Sequence, residues 1–445
     1  MTESYRPPSD ILEVLQQIEY EEPLGPDDPR YVDTREARGS QRTLDRLARK
    51  LGLLLADGRM YPPRQKHVLF FGHTGSGKTT ELLHYATQLE GPGRFCIVQL
   101  DITKDLDRNN LQYADTLMAM ARALLHRLDV AGVDLGTDAL APLDAWFSER
   151  VLTTEAGREL RTEIKTGAAG KGGIPGLVKL FASFTAAFKA NATYKDELRR
   201  VIRNSFGELA AAFNTLIQRA EDALRDTGNG SRVVFIIDGT DKLRGEDTRL
   251  FFVHDAEQLL AIETLVVYTA PLSLKYEGNL AGKLDADLML PMIKLAERNG
   301  TPCDAGMRAV RDILLRRADR TLFATDDDIE RLVQACGGHP RELLRLLKLC
   351  CEFAEDDCID AATVDAAVRQ LASEYRRFLA PDDYALLAGI DRDGIHAGND
   401  ERTRRLLYNL ALLEYNDGTW RRSHPVVRTL EGYARAAEAA AETGN

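Results

Sequence analysis

The sequence predicts an α/β fold: a doubly wound parallel sheet, followed by a helical region and a small module ending in a hairpin. Three observations carry this. Apolar runs recur at Val68–Phe71, Phe95–Leu100, Val233–Ile237, Leu265–Tyr268 and Leu288–Leu290. Their near-continuous apolar character is that of parallel strands covered on both faces. Helical patterns separate the runs, which is the alternation of a doubly wound sheet. The first run passes into a glycine-rich loop and then into Thr80–Ala86, which has helical spacing.

The elements divide the chain of 445 residues as follows. Residues 1–66 read as a leader with little regular core, broken by Pro23, Pro26 and Pro29. Within it, Arg42–Leu55 is amphipathic, with Leu44, Leu47, Leu51 and Leu54 on one face. Residues 67–300 hold the five strand-like runs. The second and third are far too distant for an ordinary connection, so a helical insert at about 105–228 is expected. Its helical patterns are Asp115–Leu128, Leu143–Arg161 and Tyr194–Leu224. A glycine-rich stretch, Gly167–Gly176, divides them and reads as a loop, because no Ser or Thr follows Lys171. Leu177, Phe181, Phe184 and Phe188 then form an apolar stripe, better suited to the protein's own helices than to a partner or membrane.

Residues 301–372 are helical throughout and read as a lid. Residues 373–432 hold short helices and a hairpin around Asn416-Asp417-Gly418, the order of a winged helix. Residues 433–445 are left as a tail.

Composition narrows the function classes. A hydrophobic fraction of 44% and a charged fraction of 29% belong to a soluble globular protein. The net charge of −11 argues against a generally basic nucleic-acid protein. No segment has the length of a membrane span or the apolar core of a signal peptide, so a cytoplasmic location without membrane contact is expected. The six cysteines form no C-x-x-C pair; Cys350, Cys351 and Cys358 read as buried thiols in a helical region in preference to metal ligands, which points to a reducing compartment.

The chemistry lies at two strand ends. Gly72-His73-Thr74-Gly75-Ser76-Gly77-Lys78-Thr79 matches the phosphate-binding loop G-x-x-x-x-G-K-[ST]. Gly72, Gly75 and Gly77 let the backbone N–H groups of Thr74, Gly75, Ser76 and Gly77 turn toward one anion. The helix N-terminus at Lys78, Thr79 and Thr80 adds partial positive charge. Lys78 would reach the β- and γ-phosphates, and the Thr79 hydroxyl would ligate Mg²⁺. Val233–Asp238 supplies an acid at a strand end, and Asp238 would face Mg²⁺ opposite Thr79. Asp241 would orient or deprotonate the attacking water; otherwise it caps the next helix. Thr269, where the fourth run ends, would approach the γ-phosphate, or simply close a strand. Gly337-Gly338-His339-Pro340-Arg341 opens a helix; Pro340 would pack on the base and Arg341 would meet the phosphates.

These motifs resemble the signal-transduction (STAND) branch of the AAA+-related P-loop ATPases. The resemblance spans roughly residues 35–430 and is specific at four places: the phosphate loop, Asp238-Gly239-Thr240-Asp241, Gly338-His339-Pro340, and Arg422–Arg428. The last is similar to the segment in which a histidine touches the β-phosphate of ADP, which implies that role for His424, although Ser423 and Pro425 replace the usual neighbours. Arg35–Gly39 resembles the adenine-side entry segment.

The resemblance implies an ATP/ADP switch with Mg²⁺ that hydrolyses ATP slowly and forms a homo-oligomer when ATP-bound. It would act on a protein effector or sensor on another chain, in stress or antiviral defence. An arginine from a neighbouring subunit would assist hydrolysis, with Arg199, Arg200, Arg203, Arg316 and Arg317 as candidates. The alternative is a DNA-associated ATPase of the origin-recognition or transposition type. It would place Arg402, Arg404, Arg405, Arg421, Arg422 and Arg428 on duplex DNA, although residues 374–428 balance nine basic against nine acidic residues. On either reading Lys78→Ala removes nucleotide binding. Calorimetry with magnesium and ATP checks this, and unchanged affinity overturns the loop assignment.

Overall fold

The computed structural model describes residues 5–106, 111–151, 192–243, 246–276, 280, 284–393 and 398–442. The glycine-rich stretch at 167–176 and the stripe from Leu177 to Phe188 lie outside these residues.

The five predicted strands form one parallel sheet. They are β1 (Lys66–Gly72), β2 (Phe95–Asp101), β3 (Arg232–Asp238), β4 (Leu265–Pro271) and β5 (Asp285–Met289), in the order β2-β3-β4-β1-β5. Alternation of side chains between faces explains why the runs are apolar throughout. Leu69 and Phe71 of β1 enter one core with Val233, Phe235 and Ile237 of β3. Val68 and Phe70 enter the other with Val234 and Ile236. The register pairs Gly72 with Pro271, Phe70 with Thr269 and Asp101 with Asp238, so the carboxyl ends of the strands share one edge.

Helices cover both faces. The leader gives α1 (Ile11–Gln17) and α2 (Gln41–Lys50). Helix α2 ends before Leu55 because the chain turns at Gly52, whose φ is +89°. A Cβ there would lie 2.3 Å from the Tyr61 carbonyl oxygen, which only glycine avoids. Helix α3 (Lys78–Leu89) follows the phosphate loop. The insert provides α4 (Tyr113–Val130), α5 (Gly136–Trp146), α6 (Ala192–Asn204) and α7 (Phe206–Thr227). The single pattern read over Tyr194–Leu224 is thus two helices, broken at Ser205.

The leader is no loose appendage. Ile11, Val14 and Ile18 join the main core. The Asp319 N–H donates to the Pro8 carbonyl at 2.7 Å, and the Ile11 N–H donates to Asp357 at 3.2 Å.

The helical region is α8 (Asp304–Leu315), α9 (Asp326–Ala335), α10 (Pro340–Phe353) and α11 (Ala361–Arg376). Then come α12 (Pro381–Asp393), α13 (Glu401–Tyr408) and the antiparallel hairpin β6 (Leu412–Tyr415) and β7 (Trp420–Ser423). Asn416 and Gly418 take φ of +48° and +88° in its turn. Residues expected as a tail include α14 (Glu431–Glu442), which packs on α12. Among the described residues no helix is long and apolar enough to cross a membrane.

One buried ion pair organises the hairpin. Arg421 is 2% exposed, and its Nε donates to Glu414 Oε2 at 2.8 Å. Its other nitrogens donate to the Gly398 carbonyl at 2.8 Å and to Asn399 Oδ1 at 2.9 Å. The guanidinium lies 4.8 Å from the Tyr276 ring, and the Tyr276 hydroxyl donates to the same carboxylate. Arg421 is therefore unavailable to a duplex, contrary to its place in the expected basic face. Arg402 is paired with Asp382, Arg405 with Asp383 and Arg428 with Asp391. Arg421→Met leaves the Glu414 charge buried without a cation, which costs about 3–5 kcal/mol. A lower urea midpoint, partly restored by adding Glu414→Gln, is the expected result.

Candidate nucleotide site

The edge shared by β1, β3 and β4 carries the predicted motifs. Gly75 and Gly77 take φ of +83° and +95°, so the chain after β1 doubles over itself and enters α3. The Ser76 N–H donates to the His73 carbonyl at 3.1 Å and tightens the turn. Lys78, Thr79 and Thr80 form the first turn of α3, where N–H groups have no intrahelical acceptor. The loop thus presents donors and the positive end of a helix dipole.

Lys78 is buried. Its Nζ donates to the carbonyls of Gly72 at 3.1 Å and His73 at 2.9 Å. It also meets Asp241 Oδ2 at 2.7 Å. Burial works to raise the Asp241 carboxyl, but Lys78, Lys242 and Thr269 outweigh it and hold it below the usual carboxylate range. The Thr269 hydroxyl donates to Asp241 Oδ1 at 3.3 Å. The Thr240 hydroxyl donates to the Thr269 carbonyl. Sheet order explains this cluster, because β4 lies between β1 and β3 and brings Thr269 between the two motifs. Asp241 is part of a short 3₁₀ turn after β3, so the site and not a long helix holds its carboxylate.

The Thr79 hydroxyl donates to Asp238 Oδ2 at 2.8 Å. Burial pushes the Asp238 carboxyl above its ordinary range, and the nearby Asp241 adds to this. A divalent cation would reverse that shift. Thr79 and Asp238 therefore fit a Mg²⁺ site shared by a loop hydroxyl and a strand-end acid.

The phosphate loop opens into a cleft of about 940 Å³, including solvent at its mouth. Thr74, Gly75, Gly77, Lys78, Thr79 and Thr80 line it with Asp241, Pro340 and Arg341. Arg341 lies on the loop: a Cβ at Gly75 would be 2.7 Å from its Nε. Among the described residues, Arg341 Nε and Ser76 Oγ are buried without a partner. Unmet donors beside a glycine cradle are what an anionic ligand would satisfy.

Several cleft residues escaped the sequence reading. The leader supplies Tyr20, Pro23, Leu24, Tyr31 and Val32 as one wall, facing Ile313, Arg317 and Leu344. Leu24 N–H donates to Thr80 Oγ1 at 3.2 Å, and Tyr31 stacks on His84 at 3.5 Å. Arg38 is buried and donates at 2.7 Å to Thr34 Oγ1, the Pro291 carbonyl and the Ser76 carbonyl. It thereby fastens the leader to the phosphate loop. A Pro-broken segment has no periodicity, so the resemblance of Arg35–Gly39 to an adenine-side entry segment is its one sequence signal. Of the arginines expected to act on a neighbour, Arg199 is held by Asp115 inside the insert. Arg317 is part of this chain's own cleft, where burial pushes it down to about 10.

His424 is not among the cleft walls. It stacks on Tyr375 at 5.0 Å, and its Nδ1 accepts the Val426 N–H at 3.3 Å. Tyr375 in turn donates to Glu342 of α10 at 3.0 Å. His424 thus supports the helix that carries Arg341 and does not reach the phosphate loop. Two other histidines do. His339 Nδ1 accepts the Glu342 N–H at 3.3 Å, so its Nε2–H donates to the Thr74 carbonyl at 3.0 Å. His73 Nε2 accepts the Glu414 N–H from β6 at 2.9 Å. Gly338 permits the first clasp: at φ +79°, a Cβ would lie 2.0 Å from the Ile293 carbonyl oxygen.

No family model matches the chain, and no curated protein matches it. Among solved structures, a Walker-type ATPase of Pyrococcus abyssi is 12% identical, with a TM-score of 0.43, over 93% of this chain and 98% of that one. Cdc6p from Pyrobaculum aerophilum is 12% identical, with a TM-score of 0.35, over 93% and 96%. A point variant of RuvB from Thermotoga maritima is 14% identical, with a TM-score of 0.34, over 90% and 97%. At these values the likeness is too low to lean on. The α/β P-loop NTPase core rests on the loop, sheet and acid geometry given above.

The buried histidines set an acid limit. Burial pushes His67 and His73 down to about 4 and His424 down to about 3. The unfolded chain takes up these protons near pH 6.5, whereas the folded chain does not until about pH 4. Stability therefore rises with pH across that window and is lost as pH falls through it. The urea midpoint is expected to drop between pH 7.5 and pH 5; a flat profile counts against neutral buried rings.

Proposed function

We propose that this protein is a nucleotide switch that binds Mg²⁺–ATP and hydrolyses it slowly. It would couple the ATP or ADP state to movement of its C-terminal lid and winged-helix domains. One observation carries the switch reading: both domains hold the phosphate loop directly, through His339 on Thr74 and the Glu414 N–H on His73. A ligand that shifts the loop by tenths of an ångström must strain or release both clasps. Differential affinity of two nucleotides for the clasped and released forms is what a switch requires.

The residues divide the chemistry. Lys78, the loop amides and Arg341 would hold the phosphates and stabilise charge on the γ-phosphoryl group. Thr79 and Asp238 would hold Mg²⁺, which supplies charge neutralisation at the phosphate oxygens. Pro340 and the leader wall would enclose the base. Asp241 is a weak proton acceptor, because its carboxyl lies below the usual range. Its service is to orient water, with Thr269 fixing its rotamer. In the arrangement seen here Asp241 neutralises Lys78, so a triphosphate must compete for that cation. This competition favours slow turnover.

A partner protein on another chain, an ATP-bound homo-oligomer, and a role in stress or defence belong to this proposal. They draw on the motif resemblance. The DNA-associated alternative loses Arg421 to burial and gains no specific support.

Two measurements test the switch. Asp241→Asn should bind ATP within a few-fold of the parent while steady-state phosphate release falls by about 10²-fold or more. Hydrogen exchange at the Glu414 amide should be faster with ATP than with ADP. Parental hydrolysis in Asp241→Asn, or an exchange rate indifferent to nucleotide, overturns the assignment.

A further inference from the structure

The crevice between the helical region and the hairpin is a second cavity, of about 720 Å³ including solvent at its mouth. Its apolar walls include Leu295, Pro302 and Met307 on one side and Tyr415 and Trp420 on the other. The two aromatic rings stack face to face at 4.2 Å with an interplanar angle of 12°, forming one rigid pair on that side of the crevice. Arg422 and Arg428 also line the crevice, and no Asp or Glu does.

Strand alternation explains the two neighbouring arginines of β7. Arg421 points inward to Glu414 and is spent. Arg422 points to the other face. Among the described residues it has no hydrogen-bond or ion-pair partner. Arg428 is partly used, with Asp391 at 3.3 Å and the Ser423 carbonyl at 2.7 Å. The crevice thus offers one guanidinium without a partner among the described residues, beside a stacked aromatic pair. A guanidinium in apolar surroundings gains most from a ligand that brings a negative charge and an apolar body together.

We propose that this crevice binds a small organic anion with an apolar body, such as an aromatic carboxylate or sulfonate, with its charge on Arg422 and its apolar body in contact with the Tyr415–Trp420 pair and the Leu295, Pro302 and Met307 side chains. The placement gives the ligand a means of control. The Tyr415 hydroxyl donates to the Gly337 carbonyl at 2.8 Å, and Gly337 stands two residues before His339. An occupant braces the helical region against the hairpin, so it holds both clasps on the phosphate loop closed. Only this consequence rests on the proposed switch; binding itself does not.

The chain has two tryptophans, Trp146 and Trp420. In full-length Trp146→Phe, Trp420 is the sole indole emitter. Titration with 8-anilinonaphthalene-1-sulfonate should quench Trp420 and sensitise dye emission, saturating at one equivalent. Arg422→Glu and the milder Arg422→Gln should each weaken binding about tenfold or more, the size of one lost charged hydrogen bond. Arg422→Lys should weaken it less. Lys78→Ala should leave dye binding intact while nucleotide binding is lost, which separates this site from the switch reading. Energy transfer that is absent, or that persists unchanged in both Arg422→Glu and Arg422→Gln, overturns the proposal. Displacement of the dye by a short DNA duplex in low salt also overturns it, since the arginine would then serve a nucleic acid.

Discussion

The buried contact between Lys78 and Asp241 is the constraint on which the site depends. It joins the loop after β1 to the loop after β3, across the end of β4. Neither charge has water to fall back on, so each must keep the other or find a ligand. The pair fixes the phosphate loop in an open cradle and keeps the Asp241 carboxylate ionised. Thr269 is drawn in because β4 lies between the two strands. On the proposed function, a cation already committed to a carboxylate is one that a triphosphate must win, so affinity and turnover would be set by the same contact.

The second organising feature is the neutral state of the histidines around that loop. His339 must donate through Nε2 while its Nδ1 accepts, and a doubly protonated ring cannot do both. Burial pushes it far below its ordinary range, with His73, Arg341 and His424 adding to the effect. His73 accepts from a backbone N–H and must likewise stay unprotonated. The C-terminal domains are thus latched by uncharged hydrogen bonds, each worth about 1 kcal/mol net. Contacts of that size are strong enough to position a domain and, in the proposed switch, weak enough for a nucleotide to release. The buried Glu414–Arg421 pair keeps the hairpin rigid, so the Glu414 N–H moves with the whole module.

Much of the core was legible because its physics is local. The central strands β1, β3 and β4 are covered on both faces and read as apolar runs; the edge strand β5 begins at Asp285, three residues before the apolar run at Leu288–Leu290. The loop Gly72–Thr79 is legible because phosphate binding needs glycines and a lysine at fixed spacing along one chain segment. Asp238 and Asp241 follow a strand end directly. Helix limits were less legible. Helix α2 stops early at Gly52, and one long pattern splits at Ser205, because close approach and packing decide where a helix ends.

His424 shows the opposite case. Its segment looks like a phosphate-sensing one, yet its ring is spent on Tyr375, and His73 and His339 meet the loop instead. His73 occupies a position that the motif leaves free, so no local signal marks it. The leader wall around Tyr20–Val32 is silent in sequence; Arg38 lies in the segment Arg35–Gly39 that resembles an adenine-side entry, but it finds the Ser76 carbonyl only after the sheet forms. What the sequence determined by itself was the set of groups able to hold a phosphate and a metal, because backbone conformation and side-chain type act within a few residues. Only the tertiary structure decided which distant histidine, arginine and strand close around them, because those contacts depend on how separate helices and hairpins pack.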